Sequence, residues 1–311
     1  MKTTLLTLLF LNVFSLQAQH KNSNDVSLNA LKKDLRFLTE LEQPRNYQNI
    51  ESLNKVAEYL KSELSKVCDS VAFQNYTVNT KAYKNVIGSI GLQHSERIII
   101  GAHYDVYGNS KGADDNASGV AGLLELARLL KGAKLKYRID FVFYTLEEPP
   151  FFRTQKMGSY VHAKYLSDKN IKIKGMICLE SIGYFNDTPN SQRYPIKELS
   201  RVYGTQGNYI TVVQNHRKEA FSTRIGDVMK KLNYINTESF VGSPALTGVD
   251  FSDHLNYWKF GFEAVMITNT AFYRNENYHT KKDTVDTLDL KRLLSVVKQL
   301  HKTITFLYSE S

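Results

Sequence analysis

The sequence predicts an α/β protein, a three-layer α/β/α sandwich built around a central, mostly parallel mixed sheet. Two observations point to this class. Near-continuous apolar runs at residues 98–100 (Ile-Ile-Ile) and 141–143 (Phe-Val-Phe) are typical of strands covered on both faces. Short β-rich runs alternate with longer amphipathic stretches, the order in which strands and helices follow one another in such sandwiches. With 311 residues and no repeat or linker, one large domain is the simplest expectation.

The predicted elements begin with helical periodicity between about residues 26 and 65. Apolar residues at helical spacing carry that pattern: Leu31, Leu35, Leu38, Val56, Tyr59, Leu60 and Leu64. Beyond it, β-rich apolar runs predict strands at residues 85–90, 97–102, 138–146, 175–179, 209–213 and 264–268. Amphipathic stretches predict helices at residues 119–130, 156–166, 220–231 and 288–308.

The first residues are typical of a secretory signal peptide. Met1-Lys2 supplies a positive start, residues 4–16 are apolar, and Ala18 offers a small residue for cleavage. The apolar stretch is too short to cross a hydrocarbon core, which needs about 20 residues. We therefore expect residues 1–18 to be removed on export to the periplasm or the exterior. Residues 19–311 then form the single domain, with a helical region over residues 19–84.

Composition argues against several other classes of protein. An apolar fraction of 42% with 23% charged residues is ordinary for a globular protein. The formal charge is +9, but the basic residues are scattered and match no nucleic-acid-binding motif, so we expect no nucleic-acid partner. No further segment is long and apolar enough to predict membrane insertion. The two cysteines, Cys68 and Cys178, make no disulfide framework, and free thiols are favoured.

Side chains that can bind metals collect where the predicted strands end. In α/β sheets, ligands bind outside the carboxyl ends of the strands, so groups from successive strand ends are placed to converge. Imidazole and carboxylate groups together make a nitrogen and oxygen donor set suited to zinc or a similar metal. The set comprises His103, Asp105, Asp115, Glu147, Glu148, Glu180 and His279.

The combination is more informative than any one of these residues. A lone His in a turn is most often a hydrogen-bonding residue, and adjacent acidic residues are most often solvated or cap a helix. Burying several carboxylates together is costly without a cation, because like charges raise one another's pKa values. Two divalent ions about 3.5–4 Å apart remove that cost and can together activate a water and polarise a carbonyl. The pattern therefore predicts a two-metal hydrolytic site.

Six short motifs, in order along the chain, resemble the co-catalytic di-zinc aminopeptidase family. That family includes aminopeptidase Y and leucyl aminopeptidase type exopeptidases, and is related to glutamate carboxypeptidase and the glutaminyl cyclases. The resemblance covers roughly residues 85–308, and six ordered motifs are far more specific than any one. It implies a zinc-exopeptidase-like fold, with residues 85–311 as the metal-binding core. The motifs are GAHYD (101–105), GADDNASG (112–119), LEE (146–148), LESIGY (179–184), SDH (252–254) and NYHT (277–280).

The resemblance implies two zinc ions per chain and assigns their ligands. Asp115 would bridge the two ions. Glu148 and His279 would complete one site, and His103 and Glu180 would complete the other. Many members carry Asp at the position of Glu180, so the extra methylene puts the geometry of that second site in question.

The resemblance also implies roles beyond the ligands. Glu147 would act as general base on a water that bridges the metals and then pass the proton to the leaving amine. The hydroxide formed in this way would attack the first peptide bond of substrates with a free amino terminus. Asp105 would orient His103 and raise its basicity as a ligand. Tyr278 would donate to the oxyanion, although packing is an equally good reading of an aromatic there. Residues 185–250 would supply a side-chain pocket, although their aromatics fit the core equally well: Tyr194, Tyr203, Tyr209, Phe221, Tyr234 and Phe240.

Three other functions remain open on sequence grounds. A glutaminyl cyclase shares the scaffold but uses a single zinc and hydrolyses nothing. A carboxypeptidase would need a cation for the terminal carboxylate, and Arg153 or Arg274 could serve. A non-catalytic binding protein typically loses a ligand or the base, whereas every position is filled here. His254 in the SDH motif fits a supporting role better than metal ligation, since the ligand set is complete without it.

Overall fold

The computed structural model describes residues 26–217 and 219–310, which form one sheet with helices packed on it. The strands are β1 (Ser70–Val78), β2 (Lys81–Ile90), β3 (Arg97–His103), β4 (Arg138–Tyr144), β5 (Ile173–Glu180), β6 (Ile210–Asn215), β7 (Thr237–Gly242) and β8 (Ala264–Thr268). The helices are α1 (Leu28–Thr39), α2 (Ile50–Leu64), α3 (Gly119–Leu129), α4 (Gly158–Asp168), α5 (Ser200–Tyr203), α6 (Ala220–Leu232), α7 (His254–Lys259) and α8 (Leu290–Tyr308). The predicted signal peptide, residues 1–18, lies outside the described residues.

The sheet is mixed, with its central strands parallel. Its order is β1-β2-β4-β3-β5-β8-β6-β7. Strands β4, β3, β5 and β8 run parallel to their neighbours in that series, and β7 runs parallel to β6. The pairs β1–β2, β2–β4 and β6–β8 are antiparallel. The predicted α/β class with a mostly parallel mixed sheet is therefore confirmed.

Both faces of the sheet are covered by helices, which explains the continuous apolar runs. Successive side chains of a strand point to opposite faces. In β3, Ile98 and Ile100 pack in a large apolar cluster with residues of α1, α2, α3, α6 and α8. Ile99 between them packs in a second cluster with residues of α4 and α7. Every residue of β3 after Arg97 is buried, so alternation of polar and apolar residues is absent.

The two edge strands are where the sequence prediction was wrong or incomplete. The helical region predicted over residues 19–84 holds α1 and α2, but β1 and the start of β2 follow within it. Strand β7 was not predicted. Each edge strand pairs with a single neighbour and leaves several residues partly or fully exposed. Polar residues therefore interrupt both strands and weaken the pattern that identifies a strand.

Two further expectations concern cysteines and membranes. Cys68 and Cys178 are both free thiols. Among the helices in the described part of the chain, none combines the length and the apolar character needed to cross a bilayer.

Candidate metal centre

The strand ends of the central sheet bring the predicted ligands together. His103 is the last residue of β3 and Glu180 the last of β5, while Glu147 and Glu148 lie in the loop that follows β4. Strands β4, β3 and β5 are parallel neighbours, so these ends meet at one edge of the sheet. Asp115 reaches the same place from the segment Ala113–Ser118, whose backbone leaves helical angles at Asp115 just before α3 begins.

The carboxylate of Asp115 lies between two separate groups of ligands. Its Oδ1 atom is 3.2 Å from Nε2 of His103, and that nitrogen is also 3.2 Å from Oε2 of Glu180. Its Oδ2 atom is 3.1 Å from Nε2 of His279, and that nitrogen is 3.1 Å from Oε2 of Glu148. Each oxygen of Asp115 thus faces one His and one Glu, which is the arrangement expected of a bridging ligand.

These distances fit zinc coordination. Two ligands of a tetrahedral zinc with bonds of about 2.0 Å lie about 3.3 Å apart. The ligand-to-ligand distances of 3.1–3.2 Å are close to that value. Oε1 of Glu148 is buried and makes no hydrogen bond with any described residue. Single donor atoms from His103, Asp115 and Glu148 also lie within 4.8 Å of one another. The donor set therefore fits zinc.

The electrostatics of the cluster also call for a cation. Burial raises the pKa of Glu147 well above its ordinary value and that of Glu148 to about 7. Burial opposes the charged form of His103, but the carboxylates of Glu147 and Glu180 outweigh it and raise its pKa well above the ordinary value. Burial also opposes ionisation of Asp115, yet its contacts with His103 and His279 hold its pKa well below the ordinary range. Bound divalent ions favour the charged carboxylates that burial disfavours.

Asp105 connects two of the ligand-bearing loops. Its Oδ1 and Oδ2 atoms accept the backbone N–H groups of Glu147 at 3.2 Å and of Glu148 at 3.1 Å. Nδ1 of His103 lies 3.5 Å from Oδ1 of the same carboxylate. One buried side chain therefore sets the positions of the loop after β4 and approaches the imidazole at the end of β3.

Two carboxylates that sequence reasoning did not assign hold the Asp115 segment in place. The backbone N–H groups of Asp114 and Asp115 donate to Oδ1 and Oδ2 of Asp283 at 2.9 and 3.1 Å. The Asp114 carboxylate accepts the backbone N–H of Gly183 and the side-chain amide of Asn275. Asp114 directly precedes Asp115, and Asp283 follows His279 by four residues, so their nearness to the motifs was the signal that the sequence offered.

Tyr278 lies between the cluster and an apolar pocket. Its ring stacks on His279 with the ring centroids 3.8 Å apart, and Tyr107 stacks on His279 at 4.3 Å. The pocket encloses about 760 Å³ including its open mouth, and Glu180 and Tyr278 form part of its wall. Other lining residues are mostly apolar and include Tyr194, Tyr203, Tyr209, Phe240, Phe251 and Phe272. Of the aromatics named in the sequence analysis, Phe221 belongs to the core and Tyr234 is exposed.

The remaining candidates lie away from the ligands or are engaged elsewhere. Nε2 of His254 lies 2.8 Å from the backbone oxygen of Val249, a residue of the pocket wall. The guanidinium of Arg274 is buried and donates to the Gln192 side chain and the Tyr209 carbonyl. Arg153 pairs with Asp250 and lies over the ring of Phe251.

Comparison with known proteins identifies relatives over most of the chain. The model of peptidase family M28 matches residues 85–304. An uncharacterised Escherichia coli K12 protein, YfbL, is 42% identical over 292 residues, covering 90% of this chain and 87% of YfbL. A probable leucine aminopeptidase of Trichophyton verrucosum is 26% identical, covering 88% of this chain and 71% of that protein.

Solved structures share the fold. The LapA aminopeptidase of Legionella pneumophila superposes with a TM-score of 0.73 at 20% identity, covering 92% of this chain and 73% of LapA. A Bacteroides thetaiotaomicron glutaminyl cyclase bound to N-acetylhistamine has a TM-score of 0.68 at 18% identity, covering 90% of this chain and 98% of the cyclase. The family match spans more than half of the chain and includes every predicted ligand. The chain therefore belongs to peptidase family M28 and is a zinc metallopeptidase.

Proposed function

We propose that the protein is a two-zinc aminopeptidase that removes an apolar residue from the free amino terminus of peptides. One observation carries this proposal: the two oxygens of Asp115 face different His–Glu pairs, His103 with Glu180 and His279 with Glu148. A carboxylate that serves two such pairs would be the bridging ligand of a two-metal site.

The proposed site assigns different chemical roles to bound zinc and to the protein side chains. Zinc bound here would lower the pKa of water and polarise the scissile carbonyl. Glu147 belongs to neither of the two His–Glu pairs. Its Oε2 atom lies 3.8 Å from Nε2 of His103, farther than the 3.1–3.2 Å between the members of each pair. Its burial raises its pKa well above the ordinary value and so favours the protonated form, while a neighbouring dication would favour the charged form. We assign Glu147 the transfer of a proton from the attacking water to the leaving amine.

The apolar pocket supports the assignment to the first residue of a peptide. Glu180 of the cluster and Tyr278, which stacks on His279, form part of its wall, so a substrate side chain in the pocket would place its own backbone beside the predicted ligands. Its mainly apolar wall favours an apolar side chain. Tyr278 lies at this junction, where its hydroxyl is a candidate donor to the oxyanion and its ring orients His279.

The same geometry disfavours a carboxypeptidase. Neither cation suggested by the sequence lines the apolar pocket: Arg274 is buried and donates to Gln192 and Tyr209, and Arg153 pairs with Asp250.

A matched set of substrates tests the proposal. Aminoacyl p-nitroanilides with a free amine should be hydrolysed in the presence of zinc, and their N-acetylated forms should not. Hydrolysis of N-acetylated peptides from the carboxyl end would instead indicate a carboxypeptidase. Cyclisation of amino-terminal glutamine without hydrolysis would indicate the cyclase.

We also propose that the protein is exported. The positive start, the apolar residues 4–16 and Ala18 support this. Amino-terminal sequencing of the mature protein should begin at Gln19, and an intact Met1 on protein kept in the cytoplasm would contradict export.

A further inference from the structure

A fully buried arginine, Arg45, lies in the loop between α1 and α2 and contacts the backbone next to His103 and the backbone that leads to Asp115, both residues of the metal cluster. Arg45 is 1% exposed. Its Nε atom donates to the carbonyl of Tyr104 at 2.8 Å, and its Nη2 atom donates to the carbonyl of Gly112 at 2.7 Å. Its Nη1 atom donates to the carbonyls of Leu38 at 2.8 Å and Lys111 at 2.7 Å. Its hydrogen-bond acceptors in the described part of the chain are thus neutral backbone oxygens.

Those carbonyls belong to the segments that present two of the ligands. Tyr104 lies between His103 and Asp105, and Gly112 directly precedes the segment that carries Asp115. One planar guanidinium therefore joins the backbone next to His103 to the backbone that leads to Asp115. No second cation among the described residues makes these contacts.

The surrounding loop strengthens the same connection. The backbone N–H of Val106 donates to the carbonyl of Arg45 at 3.2 Å, and the side-chain amide of Asn46 donates to the carbonyl of Gly108 at 2.5 Å. The contact at Gly112 is close: with φ +59°, a Cβ there would lie 2.9 Å from Nη2 of Arg45 and 2.4 Å from the carbonyl oxygen of Asp115. Arg45 thus packs against the backbone that positions Asp115.

The charge of Arg45 is retained despite burial. Burial lowers its pKa to about 10, which still leaves it protonated near neutral pH, and the carboxylates of Asp283, Asp115 and Asp105 oppose the decrease. Hydrogen bonds from charged donors are stronger than those from neutral donors. The charged guanidinium of Arg45 therefore holds the backbone carbonyls more firmly than a neutral side-chain amide would.

We propose that Arg45 is a positioning residue for the metal centre, fixing the spacing between the backbone at His103 and the backbone that leads to Asp115. Its side-chain hydrogen bonds among the described residues go to backbone carbonyls and not to the side chains of the predicted ligands. Groups that orient metal ligands typically change metal affinity by 10- to 100-fold when replaced. The inference rests on the proposed metal centre but not on the identity of the substrate.

Zinc affinity of the intact protein, measured by competition with a chromogenic chelator, tests this role. Arg45→Lys keeps the charge but has a single nitrogen in place of the fork, and we expect zinc to bind it roughly 10-fold more weakly. Arg45→Met keeps the apolar stem and loses all four hydrogen bonds, so its affinity should fall further.

Arg128→Met is the matched control. Arg128 is also a largely buried arginine, and it joins α3 to α1 and α2 through Asp34 at 2.7 Å and Glu63 at 3.0 Å. Its side-chain hydrogen bonds to Asp34, Glu63 and Glu125 all lie outside residues 103–115. Its loss should lower the melting temperature while zinc affinity stays within about threefold of the parent, because the ligand spacing is unchanged.

Separate results would overturn separate claims. If both Arg45 variants melt at a lower temperature but bind zinc as the parent does, Arg45 stabilises the fold alone and the inference is wrong. If Arg45→Met does not fold, Arg45→Lys decides by the same criterion. A parent chain that binds no zinc would overturn the metal centre together with this inference.

Discussion

Asp105 offers a quantitative test of how the ligand loops are held. Replacing it with Asn keeps the size of the side chain, but the N–H groups of Glu147 and Glu148 bond different oxygens of the carboxylate, and only one of those oxygens remains. The other N–H then faces an amide NH₂ and is left buried without a partner. The hydrogen bond that remains loses its charged acceptor, which costs about 1 kcal/mol. The backbone N–H left buried without an acceptor costs about 1–3 kcal/mol.

These terms sum to about 2–4 kcal/mol at the turn that carries Glu147, the proposed base, and Glu148, a proposed ligand. If the loss falls fully on the reacting geometry, kcat/KM should drop roughly 30- to 900-fold, at 1.36 kcal/mol per tenfold. The assay is hydrolysis of a free-amine aminoacyl p-nitroanilide by zinc-loaded enzyme, with zinc affinity measured in parallel.

Asp140→Asn provides the control for Asp105→Asn. Asp140 is equally buried and accepts from Ser89, Arg97 and Arg138, but it lies near the start of β4. We expect that control to lose stability and keep kcat/KM. Asp105→Asn enzyme with kcat/KM and zinc affinity within about threefold of the parent would refute the reasoning.

Three other predictions follow from the structure. Glu147→Gln should bind zinc as the parent does and lose roughly 10²–10⁴-fold in kcat, since general-base catalysis is removed; appreciable turnover by the zinc-loaded variant would rule out Glu147 as the base. A chelator should lower the melting temperature by on the order of 5 °C or more and added zinc should restore it; an unchanged transition would argue against a zinc centre. Burial lowers the pKa of His162 to about 4, so the unfolded chain takes up its proton first and stability falls as the pH drops from about 6.5 towards 4. Urea unfolding at about pH 7.5 and about pH 5 should show this decline, and His162→Gln should lessen it; an equal decline in the variant would exclude His162 as a source.

The fold was predictable where burial is uniform and unpredictable where it is not. Strands β3 and β4 are buried on both faces, so their apolar runs stand out in the sequence. Strands β1 and β7 lie at the sheet edges, where one side meets no neighbouring strand and polar residues are tolerated. Their sequences therefore carry no clear period, and only the tertiary pairing makes them strands.

The candidate site shows a similar division. Its ligands lie at strand ends or in short motifs, so their types and order were informative in the sequence. Arg45 and Asp283 were not foreseen, because each supports the site through hydrogen bonds to backbone groups distant in sequence. A single Arg or Asp is ordinarily exposed, so composition gave no reason to place either inside.

The zinc content of the protein most directly tests the central claim that Asp115 bridges two metals. Zinc-loaded parent and Glu180→Gln proteins would be dialysed and compared by elemental analysis. The bridging arrangement predicts about two zinc ions per parent chain and about one per Glu180→Gln chain, since the His103 site loses its carboxylate. One zinc per chain in both proteins would contradict the two-metal site and leave Glu180 without a role in binding metal.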